Sequence, residues 1–193
     1  MKRRIAIFAS GGGSNAEAII NHFKSSDHIE IALIVSNKKS AYVLERAQNH
    51  KIAAHVIHKK EFYNSYDLLD ILQSHHIDYI VLAGFLLLIP NYLIQAYPDR
   101  IINIHPALLP KYGGKGMYGH HVHQAVFDNF EKESGITIHL VNDKYDEGEI
   151  LFQSKVELGL TDTPDIIAKK VLSLEHTHYP KVIEQAVLES FDQ

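Results

Sequence analysis

Short, continuous apolar runs separated by amphipathic segments are the feature that most constrains how this chain can fold. Runs that are apolar at consecutive positions are typical of strands buried on both faces of a parallel sheet. Five such runs occur, at residues 5–9, 31–35, 53–57, 79–83 and 101–104. Helical patterns lie between them, over residues 15–24, 40–50, 61–76 and 90–97. Strand alternating with helix predicts an α/β fold: a Rossmann-like, open twisted sheet with right-handed crossovers and helices on both faces.

The pattern changes after residue 104. A loop rich in glycine and proline covers residues 106–119, and a helical pattern covers residues 120–130. Two runs with partial alternation follow, at residues 136–141 and 150–156. They predict two further strands that add mixed pairing at the edge of the sheet, so the parallel half is N-terminal and the mixed half is C-terminal.

The start of the last helix is marked by three residues. Thr163 is suited to cap the helix, Pro164 to take the first helical position and Asp165 to face the positive end of the helix dipole. We expect this helix to kink or break before Pro180, because proline lacks the amide hydrogen that a helix interior needs. We expect it to end near Glu189.

Length and composition limit the classes of protein to which this chain can belong. The 193 residues predict a single domain over 1–193, and the net charge of −4 gives no basic field for nucleic acid or an acidic membrane. The chain has no cysteine, which excludes disulfides, thiolate metal sites and cysteine nucleophiles and fits the cytoplasm. No run of about 18 apolar residues is present, so no transmembrane helix is expected. The basic start followed by five apolar residues predicts a strand, not a signal peptide.

A glycine-rich turn joins the first strand to the first helix, with Ser-Gly-Gly-Gly-Ser-Asn at residues 10–15. Backbone N–H groups at such a helix N-terminus can hold a phosphate without net positive charge. The alternative is a tight turn with a capped helix and no ligand. The same residues also match a dinucleotide-binding motif. An NAD site needs an acidic residue near the end of the second strand to hold the ribose hydroxyls, and residues 36–39 include none. A monophosphate is therefore favoured over NAD.

The sequence Asn-Ile-His-Pro-Ala-Leu-Leu-Pro begins at Asn103 and carries the strongest chemical signal. Alternation along a strand places Asn103 and His105 on one face, at the carboxyl end where open α/β sheets bind ligands. An amide donor beside an imidazole suits acyl transfer to an amine: the amide stabilises an oxyanion and the imidazole moves protons. A carboxylate from the later loop, Asp143 or Asp146, would orient the imidazole and favour its charged form. The alternative is a satisfied polar pair at a strand end.

Taken with its extension Lys-Tyr, this motif resembles that of the folate-dependent formyltransferases. The glycine turn, the sequence Leu-Ala-Gly-Phe at residues 82–85 and the late Asp-Glu-Gly are similar to the glycinamide ribonucleotide branch of that family. The resemblance extends over nearly the whole chain. It implies that a formyl group moves from 10-formyltetrahydrofolate to the amine of a glycinamide ribonucleotide, a step of purine biosynthesis, without a metal.

The resemblance also implies roles for individual residues. The half of the chain over 1–100 would bind phosphate, and the half over 101–193 would hold the catalytic and folate sites. The catalytic residues would be Asn103, His105 and Asp146, with His105 protonated. The ribonucleotide would be held by Gly12, Gly13, Ser14, Asn15 and Glu175. The folate would contact Tyr63, Leu86, Leu87, Leu88, Ile89, Asn103, Val141, Asn142 and Asp146, with Leu93 as a further wall.

The sequence departs from this family at three places. Leu87 stands where many relatives carry an arginine, and Tyr63 or Asn64 stands where a basic residue is frequent. The loop over 113–119 has four glycines, which predicts either a mobile lid, with Lys111 or Lys115 meeting an anion, or a disordered surface loop.

Several histidines require an interpretation. His120 and His123 could share a helix face and bind a metal, but no third ligand is placed by spacing, so a metal site is not expected. The resemblance to the family implies instead that one of the histidines at 120, 121 and 123 shapes the substrate pocket. His139 is expected to face the site side of the sheet or an adjacent polar layer.

Rival functions remain within and outside the family. A methionyl-tRNA formyltransferase carries a further C-terminal domain and a formyltetrahydrofolate hydrolase an N-terminal one, so neither is expected, nor is a sugar-nucleotide formyltransferase. A non-catalytic nucleotide- or folate-binding module is the alternative from another class. The expected partners are small molecules, and the chain is expected to be a monomer or a homodimer.

Overall fold

A computed structural model describes residues 2–189 of the chain. Its elements in chain order are β1 (Arg3–Phe8), α1 (Ser14–Phe23), β2 (Ile29–Ser36), α2 (Val43–Asn49), β3 (Ala53–Val56), α3 (Lys59–Asn64), α4 (Asp67–Ser74), β4 (Tyr79–Leu82), α5 (Asn91–Ala96), β5 (Ile101–His105), α6 (His120–Asp128), β6 (Glu133–Leu140), β7 (Ile150–Glu157) and α7 (Pro164–Glu189).

The strands form one sheet in the order β3-β2-β1-β4-β5-β6-β7. The first five strands in sequence pair in parallel, whereas β6 is antiparallel to β5 and β7 is antiparallel to β6. The prediction of an α/β sheet with a parallel N-terminal half and mixed C-terminal strands is confirmed. Because β1 lies between β2 and β4, the chain leaves the carboxyl ends of β1 and β4 in opposite directions, which opens a crevice there.

Helices cover both faces of the sheet, as predicted. Along β1, Ile5 and Ile7 belong to the hydrophobic cluster that includes Ile183 of α7. Ala6 and Phe8 point to the other side and belong to the cluster that includes Leu72 of α4. Residues of β1 are therefore apolar at consecutive positions because each face has its own layer of helices. The edge strand β3 differs from the prediction of a buried strand, since Ala53 and Ala54 are exposed.

The single helix predicted over 61–76 is two helices, so that prediction was wrong. Ser65 separates α3 from α4 in an extended conformation, with φ −134° and ψ 155°. Its hydroxyl accepts a hydrogen bond from the Asp67 N–H at 3.0 Å. A serine side chain that bonds nearby backbone competes with helix continuation, and apolar periodicity does not report this effect.

The last helix begins as predicted, with the Thr163 hydroxyl accepting a hydrogen bond from the Ile166 N–H at 3.4 Å. It runs through Pro180 to Glu189 and is not broken there. Tyr179 and Ile183, on either side of the proline, are both fully buried. Packing against the sheet thus holds both segments in one helix. Among the described residues, no helix has the length and apolar character needed to span a membrane.

Candidate active site

One cavity of about 430 Å³ lies at the carboxyl ends of β1, β4 and β5. Its walls bring together many of the side chains singled out in the sequence. Those that line it are Asn15, Leu86, Leu87, Leu88, Ile89, Asn103, His105, Val141, Asp146 and Glu175. Residues separated by up to 160 positions in sequence therefore meet in one crevice, at the place where open α/β sheets bind ligands.

The amide of Asn103 is held by a histidine on the neighbouring strand. Asn103 on β5 lies directly opposite His139 on β6. The Nδ1 of His139 is 2.7 Å from the Leu140 carbonyl oxygen, which can only accept, so Nδ1 carries the hydrogen. In the neutral ring, Nε2 then accepts a hydrogen bond from the Asn103 amide at 3.1 Å. With His139 in this form, the second N–H of the Asn103 amide remains available; Nε2 also lies 3.7 Å from Asp146 Oδ1 and can donate to that carboxylate only when the ring is charged.

The imidazole of His105 is held from two directions. Its Nε2 donates to the Tyr112 carbonyl oxygen at 2.7 Å, and its Nδ1 lies 3.5 Å from Asp146 Oδ2. The Gly114 N–H donates to the same carboxylate oxygen at 2.9 Å. A neutral ring that donates through Nε2 has its lone pair on Nδ1, so a proton accepted by His105 is placed beside the Asp146 carboxylate.

The charge of His105 differs from expectation. Burial lowers its pKa below the ordinary 6.5 and outweighs the nearby Asp146 carboxylate, which raises it. The lowered pKa favours the neutral ring at pH 7, whereas the resemblance to the family implied a protonated His105. The pKa of Asp146 is lowered: burial raises it, but the His139 and His105 rings and the Gly114 N–H together outweigh burial.

The structure separates the two candidate aspartates. Asp146 is only 12% exposed and also lies 3.7 Å from His139 Nε2. Asp143 is exposed to solvent. The backbone at Asp146 has a positive φ of 56°, a conformation that aspartate tolerates better than most residues. Gly148 follows, where a β-carbon would overlap the Leu140 carbonyl oxygen, so the loop needs a glycine there.

The glycine turn ends β1 beside this cavity. Gly13 has a φ of 69° and packs against Val43 so closely that a β-carbon would lie 2.6 Å from Val43 Cγ2. Among the described residues, the N–H groups of Gly12, Gly13 and Ser14 have no hydrogen-bond acceptor. These three residues are not part of the cavity lining, whereas Asn15 is. The turn therefore presents unpaired donors at the start of α1, next to the cavity.

Glu175 reaches the same region from α7. It is 8% exposed, and it accepts a hydrogen bond from the Asn15 side chain at 2.6 Å. Burial raises the pKa of Glu175, and the bond from Asn15 partly opposes that rise. The Asn15 Oδ1 is buried without a hydrogen-bond partner. This pair can bind hydroxyl groups, since a carboxylate accepts them and an amide offers both a donor and an acceptor.

An apolar wall follows β4. Leu86, Leu87 and Leu88 lie in a loop rather than in a strand, and Leu86 is 45% exposed. The loop is attached to the glycine turn because the Ser10 N–H donates to the Gly84 carbonyl at 3.0 Å and the Leu86 N–H donates to the Ser10 hydroxyl at 2.9 Å. Such a wall suits one face of a flat aromatic ligand.

Three predicted folate contacts lie outside the cavity wall. The Tyr63 hydroxyl donates to the Leu88 carbonyl at 3.1 Å, so Tyr63 supports the wall from behind. Asn142 accepts from the Lys144 N–H at 2.9 Å and donates to the Glu147 carbonyl at 3.2 Å, which shapes the turn that carries Asp146. Leu93 is fully buried in the core.

The glycine-rich loop before α6 forms the opposite wall. Gly114, Gly116, Met117, Tyr118 and Gly119 line the cavity. The Tyr112 carbonyl and the Gly114 N–H also belong to the site, and they could not be predicted because main-chain groups give no residue-type signal. Lys111, one of the two predicted anion contacts, instead pairs with Glu131 at 2.8 Å.

His120 and His123 also line the cavity. His123 is 7% exposed, and burial lowers its pKa to about 4. His121 instead stacks edge-on against Tyr118. Within residues 2–189, no group of three or more histidine, aspartate or glutamate side chains is arranged to hold a metal ion.

Comparison with known proteins relates this geometry to a family. A family model described as formyl transferase matches residues 3–183. The chain is 44% identical over 190 residues to the chloroplastic phosphoribosylglycinamide formyltransferase of Arabidopsis thaliana, covering 94% of this chain and 64% of that protein. It therefore spans less than two thirds of that relative.

Two bacterial proteins are matched over most of their length. A phosphoribosylglycinamide formyltransferase of Bacillus subtilis is 37% identical over 188 residues, covering 95% of this chain and 94% of that one. The crystal structure of phosphoribosylglycinamide formyltransferase from Anaplasma phagocytophilum superposes with a TM-score of 0.89 at 29% identity, covering 98% of this chain and 88% of that one. The resemblance noted in the sequence is confirmed: this chain belongs to the formyl transferase family.

Proposed function

We propose that this chain transfers the formyl group of 10-formyltetrahydrofolate to the amine of N1-(5-phospho-D-ribosyl)glycinamide, a step in purine biosynthesis. The observation that carries the proposal is the meeting of Asn103, His105 and Asp146 in one cavity beside the glycine turn. The names of the matched relatives support the same activity. The phosphate would lie at the turn, the ribose hydroxyls at Asn15 and Glu175, and the pterin against the leucine wall.

The reaction would be a direct transfer. The amine nitrogen attacks the formyl carbon, a new carbon–nitrogen bond forms, and the bond from that carbon to N10 of the folate breaks. The proton lost by the amine ends on N10. The free N–H of Asn103 would stabilise the oxyanion of the tetrahedral intermediate. His105 would accept the proton on Nδ1, where Asp146 stabilises the imidazolium, and would return it to the leaving nitrogen.

This chemistry needs no metal, because the amide donor would stabilise the charge on the oxyanion and the histidine–aspartate pair would carry the transferred proton. Cytoplasmic location, monomeric or homodimeric assembly, and small-molecule partners without nucleic acid or membrane belong to the same proposal. The absence of cysteine supports a reducing compartment, and the net charge of −4 supports partners other than nucleic acid or an acidic membrane.

The deciding experiment mixes the purified protein with 10-formyltetrahydrofolate, with and without the ribonucleotide. We expect folate consumption only when the amine is present. Consumption without the amine would identify a formyltetrahydrofolate hydrolase, and no consumption would identify a binding protein.

Alanine variants then test the residue roles. We expect Asn103→Ala, His105→Ala and Asp146→Ala each to lower turnover roughly 100-fold or more, because Asn103 and His105 would act on the reacting atoms and Asp146 would stabilise the charged His105. Asp143→Ala is the matched control in the same loop and should retain wild-type turnover. Circular dichroism and urea unfolding establish that each variant is folded. Near-normal turnover in His105→Ala would remove that residue from the chemistry.

A further inference from the structure

The glycine turn can bind an anion only if its N–H groups face the ligand and its carbonyl groups do not. The structure gives every glycine carbonyl of the turn a donor. The Gly11 oxygen accepts from the Val43 N–H at 3.1 Å, and the Gly13 oxygen accepts from the Glu17 N–H at 2.9 Å. The Gly12 oxygen accepts from a side chain, the Nε of Arg46, at 2.8 Å. Gly12 is the middle residue of the turn, so Arg46 holds its centre.

Arg46 is itself held on two further sides. Its Nη1 donates to Glu17 Oε2 at 2.9 Å, and its guanidinium lies over the Tyr42 ring, 5.0 Å from the centroid. The guanidinium side chain is 25% exposed. A planar guanidinium can bond a carbonyl and a carboxylate at once and stack on a ring, whereas a lysine ammonium cannot reproduce that geometry. Arg46 thus links α2 to both the turn and the first helical turn of α1.

Arg46 also affects the proposed phosphate site by offsetting the negative charge of Glu17. Glu17 lies in the first turn of α1, so its carboxylate is close to the end of the helix where an anion would be placed. A negative charge there opposes phosphate binding. His50 Nε2 lies 2.8 Å from Glu17 Oε1, opposite the Arg46 bond. The His50 bond, with further contributions from Arg46, lowers the pKa of Glu17 despite the opposing effect of burial, so the carboxylate stays ionised and its charge is offset by these partners.

We propose that Arg46 is a positioning residue for the phosphate group of the ribonucleotide. It fixes the Gly12 carbonyl away from the ligand and offsets the Glu17 charge, and it makes no contact with the reacting atoms. This inference rests on the proposed function, which assigns the phosphate to the glycine turn.

The chain provides a matched control in Arg4, at the opposite end of β1. Its Nε donates to the His75 carbonyl at 2.8 Å, and its Nη1 pairs with Glu30 Oε2 at 2.9 Å. Arg4 therefore makes the same two kinds of bond as Arg46, to a backbone carbonyl and to a glutamate. Arg4→Lys should disturb local structure in the way that Arg46→Lys does, but far from the proposed phosphate site.

The test compares Arg46→Lys and Arg4→Lys with the wild type, with each substrate varied in turn. For Arg46→Lys we expect the KM for the ribonucleotide to rise roughly tenfold, with kcat and the KM for the folate within about twofold, since lost ground-state binding appears in KM. The dissociation constant of inorganic phosphate, measured by calorimetry, should rise in parallel. Arg4→Lys should leave all of these values unchanged, while its urea midpoint falls about as much as that of Arg46→Lys.

Unchanged phosphate affinity in a folded Arg46→Lys protein, or an equal rise in all kinetic constants, would overturn the inference. If Arg46→Lys does not fold, Tyr42→Leu loosens the guanidinium without removing it and should raise the same KM and phosphate dissociation constant by a smaller factor; no rise in either would reject the inference. If the wild type does not use the ribonucleotide, the proposed function fails separately. The calorimetric comparison with phosphate still decides the role of Arg46 in that case.

Discussion

At His105, two opposing effects set the charge of the imidazole. Burial lowers the pKa because water that would solvate the cation is excluded, and the Asp146 carboxylate 3.5 Å away raises it. Burial is the larger effect, so the neutral ring predominates at pH 7 and can act as a proton acceptor. The aspartate then stabilises the cation only once it forms, as the proposed role of His105 as a base that later returns its proton requires.

This balance predicts the effect of removing the carboxylate charge. In Asp146→Asn the attraction that raises the His105 pKa is lost while burial remains, so the pKa falls further below 6.5. NMR titration of the His105 ring should show that fall, and the limb of the kcat/KM profile that reports His105 should move to lower pH. Asp143→Asn, in the exposed part of the loop, should leave the pKa of His105 unchanged. An upward shift in Asp146→Asn would contradict this account of the pair.

At the scale of single elements, the proposed phosphate site in the glycine turn depends on the backbone conformation of Gly13. Gly13 combines a left-handed φ of 69° with close contact to Val43 at the start of α2. Only glycine satisfies both conditions, because a side chain at this φ is strained and its β-carbon would overlap Val43. The turn and α2 therefore form one unit, in which Val43 and Arg46 hold the carbonyls.

Gly13→Ala should consequently disrupt the turn. We expect a loss of stability of at least about 1–2 kcal/mol from the left-handed conformation alone, and a marked rise in the KM for the ribonucleotide. Gly11→Ala is the control, since a β-carbon at Gly11 has no atom within 4 Å. Urea unfolding and steady-state kinetics measure the two effects. Equal stability of the two variants would show that Val43 moves aside and that the turn is not rigid.

The boundaries of the helices were predicted less well than the existence of the strands. Apolar runs correctly predicted the five strands of the parallel half, and the pattern is strongest in β1, β2 and β4, which lie inside the sheet. Apolar periodicity did not predict the separation of α3 from α4 at Ser65, which depends on one hydroxyl bonding a neighbouring N–H. The intrinsic effect of Pro180 is to interrupt a helix, but the packing of Tyr179 and Ile183 in the core overrides it.

At the scale of the whole molecule, α7 joins the two halves of the sheet. The buried hydroxyl of Tyr179 lies 2.9 Å from the Leu82 carbonyl, at the end of β4, and 3.0 Å from the Ile102 carbonyl, near the start of β5, so its hydrogen is shared between the two strands. Glu175, one turn earlier on the same helix, reaches the cavity. The helix thereby ties the position of a proposed substrate contact to the sheet that carries Asn103 and His105.

Tyr179→Phe tests this connection. Removing a hydroxyl that bonds buried carbonyls should lower the free energy of unfolding by about 1–3 kcal/mol, because those carbonyls lose a donor and cannot reach water. Tyr66→Phe serves as the control, since Tyr66 is 67% exposed and should change stability little. Chemical denaturation of both variants gives the comparison. An unchanged midpoint in Tyr179→Phe would show that the two carbonyls are satisfied without the hydroxyl.

The sequence by itself determined the fold class and the edge of the sheet at which the candidate catalytic residues Asn103 and His105 lie. Apolar runs separated by helical segments predict a parallel sheet. Alternation along the fifth strand then places Asn103 and His105 on one face at the carboxyl edge of that sheet. Only the tertiary structure decided which aspartate reaches His105, which backbone groups hold both, and which charge the imidazole carries. Those outcomes depend on the path of the 141–149 loop and on exclusion of water, and both arise from contacts between segments far apart in sequence.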